Sequence, residues 1–176
     1  MRRDYLFISM GIIIALTVYL VLVGTYNACV TAIYAGGNLL VTTIVPENFR
    51  IHKEYAFLDL GVVVKNVGDM PVEIEGYSYE LYLIMSGFFD RYKLSEGETY
   101  PSSGIVIQPQ SSRNLHLTSW INLREASSAL IELLKNPEKM KDVTFRLTIT
   151  LKVPVKVFGI KIFTYEYTET KDFKLT

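Results

Sequence analysis

Residues 143–157 read VTFRLTITLKVPVKV, and no other segment of the chain has so regular a pattern. Every odd-numbered position is apolar, whereas threonine, arginine, lysine and one proline occupy the even positions. Because side chains alternate between the two faces of a β-strand, the pattern predicts one long strand with a buried face and a wet face. Pro154 has no backbone N–H, which predicts a sheet edge or a bulge late in this strand.

Shorter segments with the same period flank this strand. Gly159 predicts a turn into a strand over 160–167, and Phe173 with Leu175 predicts a last short strand. Upstream, alternation over 58–65 predicts a strand that stops at the turn residues 66–69. Further strands are predicted over 39–45 and around the apolar pair Leu115 and Leu117.

The apolar parity changes once within the next predicted strand. Val72 and Ile74 occupy even positions, whereas Tyr77 and the apolar residues after it continue on odd ones. A glycine bulge at Gly76 explains the change, since one extra residue returns the following side chains to the core face.

One helical pattern interrupts the strands. Asn122 with Glu125 three residues later predicts an N-terminal cap, and apolar residues then recur at helical spacing until Asn136 and Pro137. The stripe most simply covers an open end or side of the sheets, and a partner groove is the alternative. The fold class predicted is therefore mainly β, an antiparallel β-sandwich with one short helix.

A long apolar segment precedes the strands. No Asp, Glu, Lys, Arg or His occurs from Tyr5 to Pro46, and about 20 such residues cover the hydrocarbon core of a bilayer. The segment predicts a long N-terminal transmembrane α-helix, with Gly36 and Gly37 ending it as a short swivel. Residues 1–37 are thus predicted as a cytoplasmic stub and transmembrane helix, and residues 38–176 as an extracytoplasmic β-sandwich domain.

The charges around this segment predict its orientation. Arg2 and Arg3 precede it, and the first cation after it is Arg50. The positive-inside rule then places the N-terminus in the cytoplasm and the domain outside, on a single-pass protein of the cell membrane. A cleaved signal peptide is the alternative, because small residues near Ala28 or Ala35 imitate a cleavage site.

Composition disfavours several functional classes. The 18 basic and 18 acidic residues cancel, so no net field attracts nucleic acid. The single cysteine, Cys29, cannot build a disulfide framework or a thiolate metal cage. His52 and His116 sit in no catalytic or ligand spacing, and Glu73 with Glu75 fit a solvated strand face. We expect no catalytic residue, no cofactor and no metal site.

One segment is a candidate contact surface. Residues 87–92 read GFFDRY and fall at a predicted hairpin tip, where exposed rings are costly unless something covers them. Phe88, Phe89 and Tyr92 either fold back onto the sandwich or contact a protein partner or the membrane interface.

The soluble part resembles a known family. The pattern of 62–66, then Pro71-Val72-Glu73-Ile74, then Tyr79-Glu80-Leu81-Tyr82-Leu83 resembles the water-stress and hypersensitive-response (WHy) domain of group 2 late embryogenesis abundant proteins. The similarity covers about 55–175. The family's asparagine-proline-asparagine turn reads Asn66-Val67-Gly68 here, and the hairpin over 87–100 is longer. The resemblance implies an immunoglobulin-like β-sandwich, often tethered by one N-terminal span, tied to stress responses and lacking an established enzyme activity.

Two functions are compatible with these patterns. The first is a membrane-anchored extracytoplasmic binding or interaction module without catalytic activity, whose partners are the lipid bilayer and an unknown envelope protein or a second copy. The alternative is a structural subunit of a filament or membrane-associated assembly, built through the apolar helix and an unpaired sandwich edge.

Overall fold

The computed structural model describes residues 2–84, 91–124, 126, 128–136 and 143–175. Two helices and nine strands lie in these ranges. In chain order they are α1 (Arg2–Gly37), β1 (Leu39–His52), β2 (Tyr55–Asn66), β3 (Val72–Ile74), β4 (Gly76–Ile84), β5 (Arg91–Thr99), β6 (Ile105–Ile107), β7 (Ser112–Asn122), α2 (Ser128–Leu134), β8 (Thr144–Val157) and β9 (Ile160–Lys174).

The strands form antiparallel sheets that stack as a sandwich. The larger sheets have the orders β5-β4-β8-β9 and β1-β2-β7, and β3 pairs with β6 in a small third sheet. Apolar side chains from the inner faces build one core. Two tyrosines of β4 join the large sheets across it, because the Tyr77 hydroxyl donates to the His116 carbonyl at 3.1 Å and the Tyr79 hydroxyl to the Thr118 carbonyl at 2.7 Å. The predicted mainly β, antiparallel fold is confirmed.

The long alternating strand is β8. Its odd-numbered side chains are buried from Phe145 to Val157, as the period predicts. Pairing with β4 ends at Lys152, so Pro154 faces a partner on one side only, Thr164 of β9. A register shift follows between Val155 and Lys156. The prediction for Pro154, a sheet edge or a bulge late in the strand, agrees with this missing partner and the nearby register shift.

Two strands extend well beyond their predicted bounds. β9 is a single strand of 15 residues, because its pairing with β8 continues without a break through the predicted gap before Phe173. β1 runs through Pro46 to His52 instead of stopping at residue 45. Pro46 is tolerated because β1 lies at the sheet edge, where a missing N–H leaves no partner unsatisfied, and a register shift follows between Pro46 and Asn48.

The parity change at Gly76 has a different cause from the one predicted. It is not a bulge within one strand, since the chain leaves one sheet at Ile74 and enters another at Gly76. Between them the Glu75 N–H donates to the Lys152 carbonyl at 2.9 Å, which ties the crossing to β8. The two parities are both buried because each strand faces the core from its own sheet.

The predicted helix after β7 is shorter than its apolar pattern. α2 begins at Ser128, and Asn122 still belongs to β7, where its side-chain carbonyl accepts the Arg124 N–H at 3.1 Å in a turn. Asn122 is therefore not a helix cap. Leu130 and Leu134 of α2 are buried in the core together with Leu123. The helix covers the sandwich, as the simpler of the two interpretations expects.

Candidate membrane anchor and its junction with the sandwich

α1 has an exposed part and a part that packs on the sandwich. Every side chain from Ser9 to Val23 is exposed, and most of them are large and apolar. The segment Ser9–Tyr34, 26 residues long, is long and apolar enough to cross a membrane, and none of its most apolar window is buried. Such an exposed surface suits lipid better than water, since burial of apolar area is the main favourable term in folding.

Small residues mediate the contact between α1 and the sandwich. Gly24, Ala28, Ala32 and Gly36 follow one another at intervals of four, which places them along one side of the helix. Ala32 is 5% exposed and belongs to the core cluster. A methyl group on Gly24 would lie 3.2 Å from Cγ1 of Val157. Small side chains thus let the helix backbone approach β8 and β9 closely.

The end of α1 is held in place. The helix ends at Gly37, as predicted, but Gly36 and Gly37 do not form a free swivel. A methyl group on Gly36 would lie 2.5 Å from Cε1 of Tyr165, so the helix touches the tyrosine ring there. The Asn38 carbonyl accepts the Val67 N–H at 2.9 Å, and the Asn38 amide donates to the Tyr34 carbonyl at 2.7 Å. These contacts fix the direction in which the helix leaves the sandwich.

A groove of about 380 Å³ runs between α1 and the neighbouring strands. Its walls include Asn27 and Thr31 of the helix and Glu73 and Lys156 of the strands. Lys156 Nζ lies 2.7 Å from the Glu73 carboxylate, so the two charges satisfy each other. Most of the other lining residues are apolar, so the groove is an apolar cleft with a few polar groups and one ion pair at its walls.

Glu75 also has a lysine partner rather than a free carboxylate. Lys161 Nζ lies 2.6 Å from its Oε1, and the Thr164 hydroxyl donates to the same oxygen. Partial burial raises the pKa of Glu75, but the hydrogen bonds from Lys161 and Thr164 outweigh it, and the pKa lies below its ordinary value. Both carboxylates are therefore paired with lysines, and Glu75 lies between β3 and β4 rather than on the solvated strand face that alternation predicts.

The residues singled out in the sequence lie in different parts of the molecule. Arg2 and Arg3 are in the first turn of α1, at the end of the helix opposite the sandwich. Tyr92 is in β5 rather than at a hairpin tip, pairs with Leu83, and packs half-buried against the core. Phe88 and Phe89 lie outside the described residues, so their contact stays a prediction.

The two histidines lie on strands. His116 is exposed on β7, as the strand parity predicts, and its Nδ1 lies 3.2 Å from Glu47 Oε2. His52 is exposed at the end of β1. Among the residues that the structure describes, no group of three or more His, Cys, Asp or Glu side chains is placed to hold a metal ion.

The comparisons with known proteins show similarity at a distance. The chain matches no protein-family model and no curated protein sequence. A crystal structure of a protein from Archaeoglobus fulgidus is 14% identical, with a TM-score of 0.40 over 78% of this chain and 98% of that one. A solution structure of an Arabidopsis thaliana protein is 16% identical, with a TM-score of 0.43 over 77% of this chain and 79% of that one.

A third similar structure is the sporulation control protein Spo0M of Bacillus subtilis. It is 12% identical, with a TM-score of 0.41, and this chain spans about half of it, since 49% of its length is covered. At scores this low, none of the similarities carries an argument about family, ligand or activity.

Sequence reasoning missed the packing of α1 on the sandwich. The signal was present in the spacing of Gly24, Ala28, Ala32 and Gly36, because small residues at every fourth position permit close approach along one helix face. Ala28 also belongs to the small residues that imitate a signal-peptide cleavage site, and that interpretation does not require packing of the helix. The nearby Cys29 is half-buried and packs against the core.

Proposed function

We propose that this chain is a single-pass membrane protein, anchored by α1, whose sandwich serves as a binding or interaction module without catalytic activity. The observation that carries the proposal is the exposed apolar surface of α1 between Ser9 and Val23. In water such a surface would drive aggregation, whereas in a bilayer the helix satisfies its own backbone and solvates its side chains.

Retention of the anchor, rather than its cleavage, is supported by the junction. Cleavage near Ala35 would remove Ala32, which is part of the core, and cleavage near Ala28 would remove Gly24, which lies against Val157. Residues that pack into a core are poor candidates for removal, because their loss leaves a cavity. We therefore assign α1 as a signal-anchor that stays with the domain.

The orientation follows from charge. Arg2 and Arg3 precede the span and no cation follows until Arg50, so the positive-inside rule assigns the N-terminus to the cytoplasm and the sandwich to the extracytoplasmic side. A role in stress responses rests on the resemblance to the WHy domain alone. The partner on the outer side is an envelope protein or a second copy, contacted through the segment with Phe88 and Phe89 near Tyr92.

The alternative, a filament subunit built through the apolar helix, is disfavoured by packing. Leu130 and Leu134 of α2 are 5% and 1% exposed, so the apolar stripe already faces the core of its own chain. A helix whose leucines are buried in this way cannot offer them to a neighbour without opening the sandwich. The module therefore explains α2 better than the subunit does.

Carbonate extraction of membranes from cells that make the full chain tests the anchor. The protein is expected to stay in the membrane pellet, whereas a double variant Leu16→Lys with Val18→Lys is expected in the supernatant, because each cation at a helix centre costs about 3 kcal/mol of insertion. Thr17→Ala, a neutral change between them, is the control. Recovery of the unaltered chain in the supernatant would refute the anchor.

A further inference from the structure

The hairpin that joins β8 to β9 exposes a patch of large apolar side chains. Phe158 is 77% exposed, Ile160 68%, Ile162 52% and Phe163 41%. Four exposed apolar side chains of this size within six residues are unusual for a soluble domain unless they contact something.

The backbone of the hairpin has a tight turn and a bulge. Phe158 and Gly159 both have positive φ, 51° and 78°, which makes the tight two-residue turn. In the pairing of β8 with β9, Val155 faces Phe163 and Lys156 faces Lys161, so Ile162 is an extra, unpaired residue. Bulges of this kind redirect side chains and are used where a surface must be aimed.

Charge is turned away from the patch. Lys161 is the one charged residue between Phe158 and Phe163 in the sequence. Its ammonium lies 2.6 Å from the Glu75 carboxylate. The Glu75 N–H donates to the Lys152 carbonyl of β8. Lys152 precedes Val157 by five residues, so Lys161 points from the hairpin toward the body of the sandwich. The end of the hairpin is thus left apolar.

The patch lies at a particular height along α1. A methyl group on Gly24 would contact both Val157 and, at 3.7 Å, the ring of Phe158. Gly24 is also about 20 residues after Asp4, the last charge before the span, and about 20 helical residues cover a hydrocarbon core of about 30 Å. With Asp4 at one edge of the hydrocarbon, the other edge would fall near Gly24, where the hairpin touches α1.

We propose that the β8–β9 hairpin inserts Phe158, Ile160 and Ile162 into the bilayer surface beside α1, so that lipid contacts the sandwich at a second point. This inference rests on the proposed anchor and extends it. Aromatic and aliphatic side chains at this height sit in the headgroup and upper acyl region. The second contact would add to the constraint that the packed α1 already places on the position of the domain.

Fluorescence quenching of single tryptophans by brominated lipid tests the insertion. Three forms of the full chain are reconstituted into phosphatidylcholine vesicles with bromine high on the acyl chains: the native chain with Trp120, Trp120→Phe with Phe158→Trp, and Trp120→Phe with Tyr19→Trp. Trp120 is a matched control, because it is 63% exposed yet lies far from the hairpin. The bonds from Tyr77 to His116 and from Tyr79 to Thr118 place it level with Leu147, about 33 Å along β8 from Val157.

The tryptophan at position 158 is expected to lose roughly half of its fluorescence, as interfacial side chains lie within reach of the bromines. The tryptophan at position 19 should be quenched as well, and Trp120 should not. If position 19 is quenched and position 158 is not, the hairpin proposal is overturned while the anchor stands. If position 19 is not quenched either, the anchor itself fails and the hairpin proposal fails with it.

Discussion

At the residue scale, the buried side chain of Asn66 makes three hydrogen bonds to backbone groups. It is fully buried at the end of β2, and its amide donates to the carbonyls of Met70 at 2.7 Å and Ile107 at 3.1 Å. Its carbonyl accepts the Gly68 N–H at 2.9 Å. One side chain thus closes the turn after β2 and joins it to β6. The turn residues at 66–69 were predictable, but the tie to β6 was not, since it depends on which strand lies opposite.

Substitution Asn66→Ala should therefore be costly. It leaves buried backbone groups without partners, and we expect a loss of about 3 kcal/mol in the free energy of unfolding. Chemical denaturation of the full chain in detergent micelles, followed by circular dichroism, measures it. Asn114→Ala on the exposed face of β7 is the control, expected to change stability by less than about 0.5 kcal/mol. Equal effects of the two variants would contradict the role assigned to Asn66.

Glu75 predicts a pH dependence. The pKa of its carboxyl is lowered in the folded state from an ordinary value of 4.5, so its contribution to stability is complete above that value and is lost as the pH falls through the lower, folded-state pKa. The variant Glu75→Gln should be less stable than the native chain at neutral pH and should approach it under acid conditions. Thermal unfolding across this pH range measures the difference.

The control for Glu75 is Glu166→Gln. Glu166 lies 3.9 Å from Lys152 and is well exposed, so its removal should change the melting temperature little at neutral pH. A Glu75→Gln profile parallel to that of the native chain at every pH would show that the Lys161 and Thr164 contacts contribute nothing.

At the element scale, the close approach of α1 to β9 depends on the absence of a side chain at Gly36. Tyr165 packs against the core and cannot turn away freely, so Gly36→Ala should strain the junction by about 1–2 kcal/mol. Gly37→Ala is a matched control one residue away, because a methyl group there meets nothing within 4 Å. Alanine should be neutral at position 37 or stabilise the helix by up to about 1 kcal/mol.

Thermal unfolding of both glycine variants in detergent micelles distinguishes the two positions. A lower melting temperature for Gly36→Ala, with none for Gly37→Ala, is the expected pattern. Identical melting temperatures would mean that α1 does not pack on Tyr165. The result would then favour the flexible swivel predicted from Gly36 and Gly37.

The elements differ in how far sequence could predict them. The strand over 143–157 and the turn at Gly159 could be predicted from the sequence, because a period of two and a turn glycine are local signals. The crossing at Gly76, the passage of β1 through Pro46 and the late start of α2 depend on which strand is a neighbour. A bulge and a change of sheet leave the same parity change in the sequence, so only the pairing tells them apart.

The candidate site divides in the same way. The membrane span and its orientation could be predicted from the apolar segment and the arginines before it. The length of an apolar segment is the physical signal for crossing a membrane, and the flanking charges are the signal for orientation. The contact of Gly24 with the β8–β9 hairpin could not be predicted, because it joins segments that are more than a hundred residues apart. Only that contact shows that the exposed Phe158 and Ile160 lie beside α1, where a membrane contact can be proposed.

At the scale of the whole molecule, α1 and the sandwich form one packed unit rather than a domain on a flexible tether. The core includes Ala32 of the helix, and Tyr165 of β9 packs against both. A bilayer that holds the helix would therefore also set the position of the sandwich. This predicts that Lys174, at the end of β9 away from the hairpin, faces the solution outside the cytoplasm.

Cysteine labelling in intact cells tests this orientation directly. Both variants of the full chain carry Cys29→Ala. One adds Lys174→Cys on the exposed end of β9, and the matched control adds Asp4→Cys before the span. Each is treated with a membrane-impermeant maleimide. We expect the cysteine at position 174 to react without lysis and the one at position 4 to react only after lysis. The reverse pattern would contradict a sandwich anchored outside the cytoplasm.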